Sequence, residues 1–563
     1  MSDEERRGVS RRSVLRGGAA AGTATAVGAG IAAAPAGATG PDRDQTIRAD
    51  LVLHNGRIHT MDRRDRVVSV LAIRDGRIVY AGNDARAARH GFEGRPRTID
   101  LRCRTAVPGL IDCHNHIVLM GNRPGHHTPL ENAYSIADVR SSYRDRARRV
   151  PRGEFITTIG GFHPHQFTEV RLPTLAELDE ALPHHPAYLS VGFAGPSVTN
   201  SLGRRFFEAA EIPVTVGADG AIAGGTETGK ATLALRRTLT AAQRERGVLD
   251  AMAYAASLGV TTHLDQGAFQ ATGTPADGAA HEDNHSMHLP FLDVYAQGRG
   301  IVRLRINYLH QDTDPAVPEL TARLRHTYPF FGDDMVRTGA IGEFIAASYS
   351  GGPVFLEAAR RSARAGWRIE VHSLTGTDFQ TQIQAFETVH AETPISDLRW
   401  VVAHVPRITP DYLQRLRAVG GGVNLTGWQY LAGTGPAAGP PFRTILDSGI
   451  PAGMSSDGMQ IAPMNPWIHA YYAVTGKNAR GQVINAGQQI SRQELLTLYT
   501  RANQWFLGGP DEHLLGSLEV GRLGDVVVLD DDYFTVPVER LRRLRADLTV
   551  VGGAVVHDAD DPH

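Results

Sequence analysis

Cysteine and lysine are nearly missing from this chain of 563 residues. Two cysteines occur, Cys103 and Cys113, so no disulfide framework holds the fold together. They bracket an extended run, which argues against their pairing with each other. Two lysines occur, Lys230 and Lys477, among 58 basic residues; this skew towards arginine reads as GC-rich codon usage rather than function. A basic excess is also missing: the formal net charge is -2 and the pI about 6.9. That excludes the electrostatic footprint of a nucleic-acid partner or an anionic membrane surface. No apolar run reaches the ~20 residues that a membrane span needs. With 42% hydrophobic and 21% charged residues the chain is neither disordered nor collagen-like. Its length suits one large domain with a smaller one beside it, and its 61 glycines suit many tight loops.

The N-terminus carries Ser10-Arg11-Arg12-Ser13-Val14-Leu15-Arg16, then an Ala/Gly-rich run to about Ile31. Ala34-Pro35-Ala36 and Ala36-Gly37-Ala38 follow as small-residue cleavage options. A charged start, a weakly apolar middle and such a site predict a bacterial export signal over residues 1–38. The paired arginines make it a twin-arginine-type signal, with the export machinery as a partner and an extracellular or periplasmic location.

Both ends of the remaining chain read as short strands. Residues 70–82 form two strands about Asp75-Gly76, a hairpin signal, and residues 524–529 and 548–556 repeat the style. The expectation is a small β-sandwich composed of residues 47–108 and 515–557. Between them, strand-like and helix-like runs alternate. Strands are expected at 109–117, 259–264, 301–309, 339–344, 368–372, 399–404, 421–425 and 450–455. Eight strand-plus-helix units predict an α/β chain whose residues 109–514 form a (β/α)8 TIM-type barrel. An insertion at about 120–257, with extra strands near 155–160 and 187–192, interrupts the rhythm over the barrel mouth.

Candidate metal ligands sit at the C-terminal ends of these strands, where barrel enzymes keep their catalytic groups. His114 and His116 end the first; at i and i+2 they point to the same side. His372 ends the fifth, His404 the sixth, and Asp457 follows the eighth. Imidazoles completed by a carboxylate suit zinc and similar ions. Other histidines are weaker candidates. Pro164 breaks the His163-Pro164-His165 pair as a strand, leaving His163 and His165 as lining of a substrate cavity. His263 ends a strand and is a pocket candidate, as are Trp467 and His469 after the Asp457 loop. His281, His285 and His288 lie in a polar loop and read as solvated. Cys113 reads as a packed thiol.

These residues lie within motifs that resemble the amidohydrolase superfamily, and within it the amidohydrolase family 3 group that includes N-substituted formamide deformylases. The resemblance runs over about residues 49–557. It rests on Val107-Pro108-Gly109-Leu110-Ile111-Asp112-Cys113-His114-Asn115-His116, Gly259-Val260-Thr261-Thr262, Ser455-Ser456-Asp457 and residues 516–529. It implies a metal-bearing barrel with a small sandwich made from both termini. Many relatives bridge two metals with a carboxylated lysine after strand four. Neither Lys230 nor Lys477 falls there; Glu343 does, and is expected to be a ligand in its place. The cofactor is then a divalent metal, zinc by the nature of the donors, and the chain leaves open one ion or two. Many relatives also carry a histidine where this chain has Phe193, so Phe193 is a further pocket candidate.

The ligand set predicts a metal-activated water attacking a carbon–nitrogen bond other than a peptide bond, in an N-substituted or cyclic amide, with Asp457 moving the proton. The substrate is a small molecule. A non-hydrolytic isomerase or decarboxylase on the same metal barrel stays open, as does a homo-oligomeric state. A metal-free barrel glycosidase would leave the strand-end histidines unexplained, and a barrel kept only for binding would need a missing ligand.

Overall fold

The computed structural model describes residues 47–84, 92–93, 95–192, 194–267, 287–433, 435, 439–459 and 462–560. The segment expected to be an export signal, residues 1–38, lies outside them, as do Phe193, His281 and His285.

The chain is a mixed α/β protein. Eight short strands form its centre: β1 (Leu110–Asn115), β2 (Val260–Asp265), β3 (Arg303–Tyr308), β4 (Val336–Ile341), β5 (Glu370–Val371), β6 (Val401–His404), β7 (Gly422–Thr426) and β8 (Ala452–Ser455). All pair in parallel, β1-β2-β3-β4 in one sheet and β5-β6-β7-β8 in another. A parallel bridge between Ile341 and Ile369 joins β4 to the chain entering β5, and one between Asn115 and Gly458 joins β1 to the chain leaving β8. Each strand falls in or beside the stretch expected from sequence. β4 starts earlier than expected and ends at Ile341, so Glu343 lies just beyond it.

Parallel neighbours need a crossover between them, and helices supply it. From β2 onward these are Leu289–Ala296, Pro318–His326, Pro353–Arg364, Gly376–Glu392, Pro410–Ala418 and Phe442–Ser448. Covered strands are buried on both faces, which is why they read as unbroken apolar runs such as Val401-Val402-Ala403. The helices carry the opposite pattern. Pro353–Arg364 buries Phe355, Ala358, Ala359 and Ser362, the i, i+3, i+4, i+7 stripe of a one-faced helix.

The inserted region has its own five-stranded sheet, running from His126–His127 through Ile156–Ile159, Ala187–Ser190 and Ser197–Thr199 to Ala221–Ile222. Its hydrophobic cluster is separate and includes Ile136, Tyr143, Phe162, Phe167 and Leu189. Helix Ala241–Ser257 then leads into β2. Both terminal regions contribute to one eight-stranded sheet, in which Val526–Leu529 pairs with Thr105–Pro108 and with Ala546–Val551. Alternation sorts its side chains: Leu51 and Leu53 enter one cluster, while Val52 joins Val70 and Ala72 in another. Among the described residues no helix is long and apolar enough to cross a membrane.

Candidate metal centre

Six side chains from the C-terminal ends of five strands, β1, β4, β5, β6 and β8, come together. His114 and His116, at the end of β1, bring Nε2 to 3.6 Å and 3.4 Å from Asp457 Oδ1. His116 Nε2 lies 3.3 Å from Glu343 Oε1, and His114 Nε2 lies 3.5 Å from Glu343 Oε2. The same Oε2 is 2.8 Å from His372 Nδ1 and 3.1 Å from His404 Nε2. Glu343 therefore sits between two histidine pairs, with Oε1 towards His116 and Oε2 shared by His114, His372 and His404. Three overlapping donor triads result, His114–His404–Asp457, His114–His116–Glu343 and Glu343–His372–His404, each with its ligand atoms within 4.8 Å of one another.

Local backbone geometry delivers these groups. Gly342, directly before Glu343, has φ +148°, and a Cβ there would stand 2.2 Å from the Glu370 carbonyl oxygen, so only glycine lets the chain pass β5 this closely. His404 and Asp457 adopt φ of +66° and +54°. Such left-handed non-glycine residues cost energy and cluster at functional sites. The Asp457 loop is tied down by Asp112, whose carboxylate accepts from Ser456 N at 3.0 Å and from the Ser456 hydroxyl. Burial pushes the Asp112 carboxyl up to about 6 against these hydrogen bonds.

The donor chemistry fits a divalent metal. His114 Nε2, His116 Nε2 and His404 Nδ1 are buried polar atoms without a hydrogen-bond partner. Buried polar groups are normally paired, so three orphans facing the Asp457 carboxylate call for a ligand. The other nitrogens of the first two rings are engaged. His114 Nδ1 is 2.6 Å from Glu370 Oε1, and His116 Nδ1 is 2.6 Å from the Gly267 carbonyl oxygen. Those bonds place the proton on Nδ1 and leave the Nε2 lone pair for a cation. Charge balance agrees. Burial opposes a charge on His116, yet the carboxylates of Asp457 and Glu343 push it up to about 10. Burial likewise opposes ionisation of Asp457, yet His404, His114 and His116 hold it well below the usual carboxylate range. Imidazoles facing two buried carboxylates hold protons only until a cation competes for the same positions.

All six residues read from the sequence as ligands come together. Glu370 was missed. Fully buried, it accepts from Asn424 Nδ2 at 2.9 Å and orients His114. Its i, i+2 spacing to His372 on one strand was the available signal. Phe344 and Tyr349 were missed as well: Phe344 stacks on the His372 ring at 5.5 Å and Tyr349 meets its edge at 5.0 Å.

The remaining candidates divide. His163 caps a 3-10 turn, Pro164–Gln166, with its ring 4.5 Å from that of His165. His263 is buried with Nδ1 3.0 Å from Asn115 Nδ2, and burial pushes it down to about 3. His469 is buried too; its Nε2 donates to the Pro463 carbonyl, and its ring sits where a side chain on Gly427 would be. Trp467 is a core residue instead of pocket lining, its indole N–H donating to the Leu258 carbonyl at 3.1 Å. His288 is not solvated: it is buried and bonded to Asp265 at 2.7 Å. Cys103 and Cys113 are both free, and the Cys113 thiol packs against the Met454 carbonyl.

Comparison with known proteins places this geometry. The chain is 23% identical over 555 residues to N-substituted formamide deformylase from Arthrobacter pascens, covering 90% of this chain and 98% of that protein. An uncharacterized metal-dependent hydrolase from Pyrococcus furiosus superposes with a TM-score of 0.58 at 19% identity, over 86% of this chain and 100% of the other. A mutant of atrazine chlorohydrolase TrzN from Arthrobacter aurescens, complexed with zinc and atraton, superposes with a TM-score of 0.53 at 19% identity, over 91% and 96% of the two chains. The amidohydrolase family model matches residues 97–557, and the chain is a hydrolytic enzyme that belongs to this family.

Proposed function

We propose that this enzyme hydrolyses a carbon–nitrogen bond other than a peptide bond, in a small N-substituted or cyclic amide, at a zinc centre held by His114, His116, Glu343, His372, His404 and Asp457. The observation that carries the reading is the position of Glu343 between two histidine pairs, three of whose outward nitrogens have no partner. A carboxylate there offers two oxygens and one negative charge, the requirement for holding two cations that would otherwise repel strongly at low dielectric. When bound, divalent ions lower the pKa of water and polarise a carbonyl oxygen.

The protein's own groups do the rest. Asp457, with Oδ1 facing both His114 and His116, takes the proton that the attacking water loses and hands it to the leaving nitrogen. One C–O bond forms, one C–N bond breaks, and an acid and an amine leave. His372 is the least buried of the ligands, its side chain 20% exposed, and Phe344 and Tyr349 beside it form an aromatic wall suited to an apolar N-substituent. The Arthrobacter pascens relative, named for an N-substituted formamide, supports the same bond type.

We place this chemistry in a (β/α)8 barrel of residues 109–514 with an insertion at about 120–257 and a sandwich of residues 47–108 and 515–557. The bridges that link β4 towards β5 and β8 back to β1 support the closed ring, and the sheet shared by both ends supports the composite domain. The signal at residues 1–38 supports export by the twin-arginine route.

The test is zinc analysis of the purified enzyme and its Glu343→Gln variant, with turnover of a panel of N-formyl and N-acyl amines. The expected result is zinc in the wild type, amide turnover abolished by chelator, and loss of zinc with at least ~100-fold lower turnover in Glu343→Gln. Full zinc and full turnover in Glu343→Gln would remove Glu343 from the site. A zinc-loaded enzyme that cleaves no amide in the panel would overturn the substrate reading.

A further inference from the structure

The two histidines of β1 are oriented by different means. His114 leans on a side chain, Glu370. His116 leans on a backbone carbonyl, that of Gly267, at 2.6 Å. A carbonyl can fix an imidazole only if the residue that bears it is held. Gly267 has φ +76°, a conformation that glycine adopts without strain but that leaves it free to move unless it is tied down.

Asp265 supplies it. Its Oδ2 accepts from Gly267 N at 2.9 Å and from His288 Nε2 at 2.7 Å. Its Oδ1 accepts from Val118 N at 3.0 Å, two residues beyond His116. The carboxylate is fully buried and His288 nearly so. One side chain thus grips the N–H of the residue whose carbonyl orients the His116 ring, and the turn of backbone that carries that histidine. His288 holds the carboxylate in place from the start of helix Leu289–Ala296.

We propose that Asp265 and His288 are positioning residues for a cation at the His114–His116 end of the site, acting through the Gly267 carbonyl to keep the His116 Nε2 lone pair aimed into it. This rests on the metal reading above. Outer partners of ligating histidines fix tautomer and ring orientation, and their loss typically costs ~10–100-fold in metal affinity. Among the described residues the hydrogen bonds of Asp265 and His288 run to Gly267 and Val118 and not to His372 or His404, so the larger effect is expected at one end of the site.

The experiment measures zinc affinity of the full chain by competition with a chromophoric chelator, alongside the melting temperature of the zinc-free protein, for wild type, Asp265→Asn, His288→Phe and His288→Gln. Asp265→Asn and His288→Phe are expected to weaken the ion at the His114–His116 end about 10–100-fold and to leave that at the His372–His404 end unchanged. His288→Gln keeps an N–H donor beside Asp265 and is expected to restore affinity to within a few-fold of wild type. His288→Phe serves as the independent variant if Asp265→Asn does not fold. Unchanged affinities in both losing variants would overturn the proposal, as would a parallel fall at both ends that tracks a lowered zinc-free melting temperature. Failure of the wild type to bind any zinc would instead overturn the metal reading itself, and this inference with it.

Discussion

A buried histidine that cannot take a proton records its burial in the pH dependence of stability. His469 is such a group: desolvation pushes it down to about 4, partly offset by its bond to Pro463 and by the nearby Asp457. Above the ordinary histidine value of ~6.5 neither folded nor unfolded chain binds this proton, and the group is silent. As pH falls from ~6.5 to about 4 the unfolded chain takes up a proton that the folded chain refuses, so stability drops by up to about 1.4 kcal/mol per pH unit. His469→Gln removes that proton from the balance. Its unfolding free energy, measured by urea titration between pH 4.5 and 7, should fall with pH less steeply than the wild type by up to that slope. Equal slopes would mean that His469 titrates normally in the fold. The same scale explains what sequence reading missed. His288 sits among polar neighbours in the chain, and nothing local distinguishes it from a solvated histidine until Asp265 arrives from another strand.

At the scale of elements, short strands need outside help to hold their ends still. β5 has two residues, and His372 follows directly after it. Helix Gly376–Glu392 braces it: Gln382 Nε2 donates to the His372 carbonyl at 2.7 Å and to the Tyr349 carbonyl at 2.8 Å, while its Oε1 accepts from Ser373. The helix is anchored by a capping box in which Thr375 accepts from Asp378 N. Gln382→Leu keeps the bulk and removes the donors. The expected cost is about 2 kcal/mol of stability, because carbonyls at the strand end lose their partner, with weaker zinc binding at the His372–His404 end and none lost at the other. Chemical unfolding and the chelator titration together check it; full stability would show that the brace is redundant. Strand positions were legible where apolar residues cluster between helix-like stretches, as in Val401-Val402-Ala403. The exact end of β4 was not, because it depends on where Gly342 passes Glu370.

At the scale of the whole molecule, buried ion pairs tie the central strands to the C-terminal segments. Arg303 reaches Asp525 at 2.8 Å and Arg305 reaches Asp511 at 2.5 Å, all four nearly inaccessible to solvent. Such pairs, with ligands drawn from β1, β6 and the loops after β4, β5 and β8, mean that the metal centre exists only once the whole chain has folded. A twin-arginine route, which carries folded proteins, suits that requirement. Changing both Arg11 and Arg12 to Lys is expected to hold the precursor in the cytoplasm with its signal intact, scored by cell fractionation and immunoblotting. Undiminished export of the double variant would remove the twin-arginine reading without touching the enzyme.

The ligands at strand ends were readable in the sequence because chemistry and position coincide in one dimension: His114 and His116 share a face by the two-residue period of a strand, and His372, His404 and Asp457 each follow a strand-like run. The chain's own composition determined that no lysine stands after β4, which left Glu343 as the anionic group there. What the sequence could not contain was the company these residues keep. Glu370 orients His114 across the centre of the fold, Asp265 reaches His116 through the Gly267 carbonyl, and Trp467 turns into the core instead of towards the pocket. Those are relations between residues tens to hundreds of positions apart. Only folding sets their distances, because a hydrogen bond of 2.6 Å depends on where two strands end in space and not on what either strand is made of.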